Sequence, residues 1–263
     1  LTLVCGDKRG RDTVLDSMGS FSYRKIQSGV ALRLPPRSKE TERIMKASPD
    51  AIIQRNQAEY LDQLLPPSEP LVAEMESFAA EHRVPIADRE VARFLEITAR
   101  AINARKVLEI GMAIGYSVVH LARGMDEGGV VVTIEPNEQM IEASERYLSR
   151  AGLRQRVRIE RGKALDVIPK LDEVFDLIFI DAVKEEYNQY LDLTLPLLRP
   201  KGIVIVDNLL WGGQVAGEIR SADQESSTKA LRQFNQKFIN HPQLLAEVLS
   251  IGDGLGYGVK VGG

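Results

Sequence analysis

The chain has 263 residues, 44% of them hydrophobic and 27% charged, with a formal net charge of -3. That suffices for one large globular domain, or a domain with an appendage, and leaves no broad basic footprint for nucleic acid or an anionic membrane. A single cysteine, Cys5, excludes an intrachain disulfide and a zinc site of several thiolates, and no apolar run approaches the ~20 residues of a membrane-spanning helix, so a soluble, cytoplasmic protein with no membrane partner is expected.

Residues 1–44 mix basic side chains (Lys8, Arg9, Arg11) with acidic ones (Asp7, Asp12, Asp16) and have no long apolar centre. They read as an arm of unassigned role, a leader or an ordered oligomerisation or lid segment, ahead of a folded domain over 45–263. In "SPDAIIQRNQAEYLDQLL", Ser48 is placed to cap and Pro49 to open a helix that stops at Pro66. "PSEPLVAEMESFAAEHRV" predicts a second helix capped by Ser68, and "DREVARFLEITARAI" a third capped by Asp88.

After Asn103 strands and helices alternate. Strands are predicted at 106–110, 130–135, 157–160, 175–181 and 203–207, with helices at 116–123, 137–151, 163–170 and 185–198 between and after them. This alternation predicts an α/β fold whose parallel sheet is covered on both faces. A helix near 228–240 and two short strands, 244–249 and 256–261, joined by the glycine-rich "IGDG", predict a closing antiparallel hairpin.

Ligands of open parallel sheets bind beyond the carboxyl ends of the strands. "KVLEIGMAIGYSVVHLAR" is a strand, a glycine turn and a helix, spaced Gly111-x-x-x-Gly115. The dinucleotide fingerprint is therefore incomplete, which counts against a nicotinamide oxidoreductase. Glu109 inside the strand would repel a pyrophosphate but could attract an ammonium group. The next strand ends in Glu135, placed to accept hydrogen bonds from both hydroxyls of a ribose. A nucleoside that carries an amino acid and no phosphate describes S-adenosylmethionine.

Two further strands end in acids, "FDLIFID" at Asp181 and "IVIVDN" at Asp207 and Asn208. If the two strands are neighbours, two carboxylates and an amide oxygen converge, a hard oxygen set suited to Mg²⁺ or Ca²⁺. The alternative is that Asp207 and Asn208 cap the following loop through local hydrogen bonds. Lys184 lies three residues after Asp181, at the start of the next helix, and is the candidate general base, its charged form disfavoured beside a cation. Trp211, with Gly212 and Gly213, could form an aromatic substrate wall.

"VLEIGMAIGYS", "IEP", "FDLIFIDAVKEEY" and "LLRPKGIVIVDNLLWGG", in this order, resemble the cation-dependent O-methyltransferases that include catechol and caffeoyl-CoA methyltransferases and small bacterial relatives. The resemblance runs from about residue 60 to 260. It implies a Rossmann-like class I methyltransferase with a seven-stranded, mostly parallel sheet, a C-terminal antiparallel hairpin, extra N-terminal helices and often a homodimer. By the same resemblance Glu109, Gly111, Gly115, Ser117, Glu135, Ala164 and Asp181 meet the S-adenosylmethionine. Asp181, Asp207 and Asn208 hold Mg²⁺ or another divalent cation such as Ca²⁺ or Mn²⁺, and Lys184 is the base. Val183 stands where bacterial relatives commonly have a second acid.

The expected reaction is methylation of a hydroxyl on a small catechol-like or hydroxycinnamoyl substrate. The alternatives are a hydroxyuridine of transfer RNA as acceptor, or a nonenzymatic cofactor-binding protein.

Overall fold

The structure is a computed structural model that describes residues 55–219 and 222–262. The predicted arm over 1–44 and the predicted cap at Ser48 and Pro49 lie outside those residues.

Helices α1 (Arg55–Leu64), α2 (Pro70–His82) and α3 (Arg89–Ala101) precede the sheet. Then β1 (Lys106–Ile110), α4 (Tyr116–Gly124), β2 (Val130–Glu135), α5 (Glu138–Arg150), β3 (Val157–Arg161), α6 (Ala164–Val167), β4 (Phe175–Ile180), α7 (Tyr187–Thr194) and β5 (Leu198–Val206) alternate, and α8 (Glu225–Ile239), β6 (Leu244–Leu249) and β7 (Leu255–Lys260) close the chain. The seven strands form one sheet in the order β3-β2-β1-β4-β5-β7-β6, parallel from β3 to β5 and antiparallel at β7 and β6. This is the predicted Rossmann-like α/β sheet with its terminal hairpin.

The strands are apolar throughout because both faces are covered, and their two-residue period divides the core. Val107, Val131, Leu177, Phe179 and Ile205 pack on one side with side chains of α2 to α5. Leu108, Ile110, Val132, Ile178, Ile180 and Val206 pack on the other with α7 and α8. The chain leaves β1 for β2 and β3 on one side and returns to β4 and β5 on the other. The order therefore reverses between β1 and β4, where such sheets open a ligand crevice.

Several local expectations are corrected. Glu69, not Ser68, is the N-cap of α2, and Ser68 Oγ instead donates to Glu76 Oε1 at 2.8 Å. Asp88 occupies the N-cap of α3 but makes no side-chain cap bond. The helix expected over 163–170 stops at Val167 and the one over 185–198 at Thr194, each tightening into a 3-10 turn that contains a proline, Pro169 or Pro196. Strand β5 begins at Leu198, five residues before the expected 203, because Leu198 pairs with Phe175 ahead of an irregularity in register.

Candidate active site at the strand ends

The backbone beyond each parallel strand is pinned to its neighbour, so the strand ends form a continuous rim. Gly162 N–H donates to the Glu135 carbonyl (3.2 Å), Gly111 N–H to Ile134 (3.1 Å), Asp181 N–H to Ile110 (3.0 Å) and Asp207 N–H to Ile180 (3.0 Å). The rim carries Gly162, Glu135, Gly111, Asp181 and Asp207 in spatial order, so the parallel register converts five separate sequence positions into one edge.

On the β1 side, Gly111 (φ +95°) and Gly115 (φ +84°) bound a tight turn. A Cβ on Gly111 would overlap the Asp181 carbonyl oxygen and lie 3.0 Å from its carbon; one on Gly115 would lie 3.1 Å from Ser144 Cβ of α5. Only glycine fits both the left-handed backbone and these approaches. Glu135 braces the turn from β2: its Oε2 accepts from Ala113 N–H and its Oε1 from Asn137 N–H, both at 2.9 Å. A carboxylate has about four acceptor positions, so two bonds leave capacity for a ligand's hydroxyls. Ala164 opens α6 beyond β3 and is buried.

Glu109 lies beneath the glycine turn with both carboxylate oxygens engaged. It is wholly buried, with Oε1 accepting from Ser117 Oγ (2.5 Å) and Oε2 from Thr133 Oγ1 (2.6 Å). Thr133 is its cross-strand partner on β2, and Ser117 stands on α4 above the same sheet face. Burial pushes the Glu109 carboxyl up to about 7, the two hydroxyls opposing and the charges of Asp181 and Glu135 adding to the rise. Glu109 is thus a brace beneath the glycine turn, and its hold on Ser117 fixes the first turn of α4.

On the other side, β4 and β5 pair with Ile180 opposite Val206, which sets Asp181 beside Asp207. Asp207 is 1% exposed and its Oδ1 accepts from Asn208 N–H (2.6 Å). The local capping bond considered from the sequence is therefore present. Asn208 sits at φ +64°. Lys184 Nζ donates to Asp181 Oδ1 (2.8 Å) and to the Tyr187 hydroxyl (2.7 Å), and that hydroxyl donates to the Asp207 carbonyl (3.2 Å). Tyr187 is wholly buried. Burial, reinforced by the negative charges of Asp181 and Asp207, holds its phenol well above the ordinary range.

Among the described residues no group of three or more His, Cys, Asp and Glu comes together as a metal nest. The set here is two carboxylates and one amide. Its donor chemistry, oxygen only, still fits a hard divalent cation. Val183 is half exposed. Trp211 begins a 3-10 turn, and its ring centroid lies 6.0 Å from Lys184 Nζ.

Sequence reasoning missed Thr133, Tyr187 and Asp253. Tyr187 lies three residues after Lys184, the spacing that brings side chains together on one helical face, and so was detectable. Thr133 needed the strand register, and Asp253 was hidden in a glycine turn.

A family model described as O-methyltransferase matches residues 67–261. The chain is 36% identical over 193 residues to a catechol O-methyltransferase of Mycobacterium tuberculosis, covering 72% of this chain and 86% of that one. A caffeoyl-CoA O-methyltransferase of Populus trichocarpa is 27% identical over 202 residues, 72% of this chain and 81% of the other. Among solved structures, the Streptomyces achromogenes O-methyltransferase TomG in complex with SAM superposes with a TM-score of 0.70 at 28% identity, over 79% of this chain and 96% of that one. A Bacillus cereus O-methyltransferase in complex with SAH gives 0.68 at 30% identity, over 78% and 97%.

Proposed function

The chain belongs to the O-methyltransferase family and is an S-adenosylmethionine-dependent enzyme of the catechol and caffeoyl-CoA type, and we propose that it methylates a hydroxyl of a small catechol-like or hydroxycinnamoyl acceptor with the help of a divalent cation. The observation that carries the reading is the convergence of Asp181, Asp207 and Lys184 on the rim directly beside the Gly111 turn. The donor and acceptor chemistries meet at one carbonyl, that of Asp181.

In this reading Glu135 receives the ribose hydroxyls, while Gly111, Gly115, Ser117 and Ala164 shape the bed of the methionine and adenine portions. Asp181, Asp207 and Asn208 would hold the cation, Mg²⁺ or, in its place, Ca²⁺ or Mn²⁺. When bound, it supplies a lowered pKa for the acceptor hydroxyl and neutralises the charge that develops on its oxygen. Lys184 stands where the proton of that hydroxyl departs, oriented by Asp181 and Tyr187. The hydroxyl oxygen attacks the sulfonium methyl in line; the C–O bond forms as the C–S bond breaks, leaving a neutral thioether and a proton that exits by way of Lys184.

A small acceptor is favoured over RNA by the charge pattern around β3. Four arginines there meet carboxylates, Arg150 with Glu74, Arg154 with Glu145, Arg158 with Glu173 and Arg161 with Glu138, while Arg156 is spent on the backbone carbonyls of Met125, Asp126 and Gly129. Neutralised in this way, they offer a polyanion little attraction. A homodimer through the N-terminal helices belongs to the same proposal, since Tyr60, Leu61 and Leu64 of α1 leave apolar surface exposed.

The test is methyl transfer from labelled S-adenosylmethionine to a catechol panel and to bulk transfer RNA, with Mg²⁺ and with EDTA, for the native chain and Asp207→Ala. Metal-dependent labelling of a catechol, reduced at least ~100-fold in the variant, is the expected result. Labelling confined to RNA, or transfer indifferent to EDTA, would overturn the corresponding half of the proposal.

A further inference from the structure

The loop after Asp207 and Asn208 holds an unfavourable shape. Asn208 (φ +64°) and Trp211 (φ +50°) both lie in the left-handed region, which asparagine tolerates but which strains a tryptophan, and Gly212 and Gly213 also have positive φ. Such a conformation persists only where its surroundings over-determine it. The surroundings are the turn between β6 and β7, distant in sequence and outside the candidate site.

That turn binds the loop at three points. Leu209 N–H donates to the Gly254 carbonyl (2.8 Å), Leu210 N–H to the Asp253 carbonyl (2.9 Å), and Gly212 N–H to Asp253 Oδ1 (2.7 Å). Asp253 is 7% exposed. The turn is wedged in its turn: a Cβ on Gly254 (φ +85°) would overlap the Leu210 side chain and lie 2.8 Å from Leu210 N, and one on Gly252 (φ +54°) would lie 2.7 Å from Val91 Cγ2 of α3. From the opposite side, Asn235 Nδ2 of α8 donates to the Leu209 carbonyl (2.8 Å). The indole of Trp211 packs partly buried against the α7–α8 side of the core with its ring 6.0 Å from Lys184 Nζ, and its buried Nε1 has no hydrogen-bond partner among the described residues.

We propose that Asp253 is a positioning residue for the methyl acceptor: through its bond to Gly212 N–H it fixes the Trp211 indole as the aromatic wall against which the acceptor ring stacks. The proposal rests on the small-acceptor reading above. The carboxylate of Asp253 holds the loop backbone through Gly212 N–H. Its effect is on where the acceptor ring lies relative to Lys184, so its loss falls on acceptor binding and leaves the donor side intact.

Trp211 is the chain's sole tryptophan, so its fluorescence reads the loop without any substrate. In Asp253→Ala, acrylamide quenching is expected to rise about twofold and the KM for catechol about tenfold, with the KM for S-adenosylmethionine within about twofold of native. Asp253→Asn, whose amide oxygen can still accept from Gly212, is expected to rescue both to within about threefold. Unchanged quenching and acceptor KM in Asp253→Ala overturn the proposal, and so does an Asn variant as impaired as the Ala one.

If Asp253→Ala does not fold, hydrogen exchange of the native chain decides. The amides of Leu209, Leu210 and Gly212 are expected to exchange at least ~100-fold more slowly than open-loop amides, and exchange at open-loop rates overturns the clamp. Should the native chain methylate no catechol, the acceptor reading falls, while quenching and exchange still decide whether Asp253 holds the loop.

Discussion

Replacing Glu109 by glutamine keeps the side chain's shape and removes its ionisation, which isolates what a charge costs beneath the glycine turn. Burial drives this carboxyl from the usual 4.5 up to about 7. Between those values the folded chain holds a proton that the unfolded chain has released. Stability therefore falls as pH rises from about 4.5 to about 7, and the full penalty stands above pH 7. At about 1.4 kcal/mol per pH unit it is on the order of 3 kcal/mol. Glutamine escapes it, but its carbonyl accepts from only one of Ser117 and Thr133, and the other hydroxyl must turn to accept from the amide, at a cost of about 1 kcal/mol. Glu109→Gln is thus expected to be about 2 kcal/mol more stable than the native chain at pH 8, with the advantage gone near pH 5. Urea unfolding in EDTA, followed by far-UV circular dichroism from pH 5 to 8, measures both curves. Parallel curves for the two proteins would refute the reasoning, because they would mean that Glu109 does not titrate in this window.

Two other substitutions probe the rim. Gly111→Ala adds a methyl group against the Asp181 carbonyl at φ +95°, and is expected to cost about 3 kcal/mol and weaken S-adenosylmethionine binding at least tenfold; an unchanged melting temperature and calorimetric affinity would show that the turn does not abut β4. Tyr187→Phe keeps the ring packed against Phe234 at 5.4 Å but removes the hydroxyl that joins Lys184 to the Asp207 carbonyl. It is expected to lower kcat about tenfold with the donor KM held within about twofold, and to destabilise by about 1–3 kcal/mol; a native kcat would mean that Asp181 alone suffices to orient the lysine.

The sheet was legible because parallel strands buried on both faces read as unbroken apolar runs, and because their carboxyl ends are where polar residues are tolerated. Asp181, Asp207 and Glu135 stood out for that reason alone. What the residues could not disclose was pairing across the sheet. An acid inside an apolar strand, as Glu109 is, stands out in the sequence, but its bonds to Thr133, its register neighbour on β2, and to Ser117 do not. Local propensity failed where a proline tightened a helix end, at Pro169 and Pro196. It failed also at Ser68, which bonds Glu76 nearly two turns into α2 instead of capping it. Asp253 was illegible for a different reason: an aspartate between two glycines is ordinary turn chemistry, and its bond to Gly212 spans 41 residues.

The contact between Gly111 and Asp181 carries a consequence for how the two halves of the site cooperate. Gly111 has no side chain to absorb a displacement, and the Asp181 carbonyl fills the space where one would stand. The same Asp181 carries the carboxylate that orients Lys184, and its N–H is tied to β1 through Ile110. On the proposed reading, a shift of the glycine turn on donor binding would meet the Asp181 carbonyl directly, with no side chain between them. Close-packed interiors transmit such strain because they deform little. In the proposed reaction the donor and acceptor halves would therefore share one backbone carbonyl, at the topological reversal between β1 and β4.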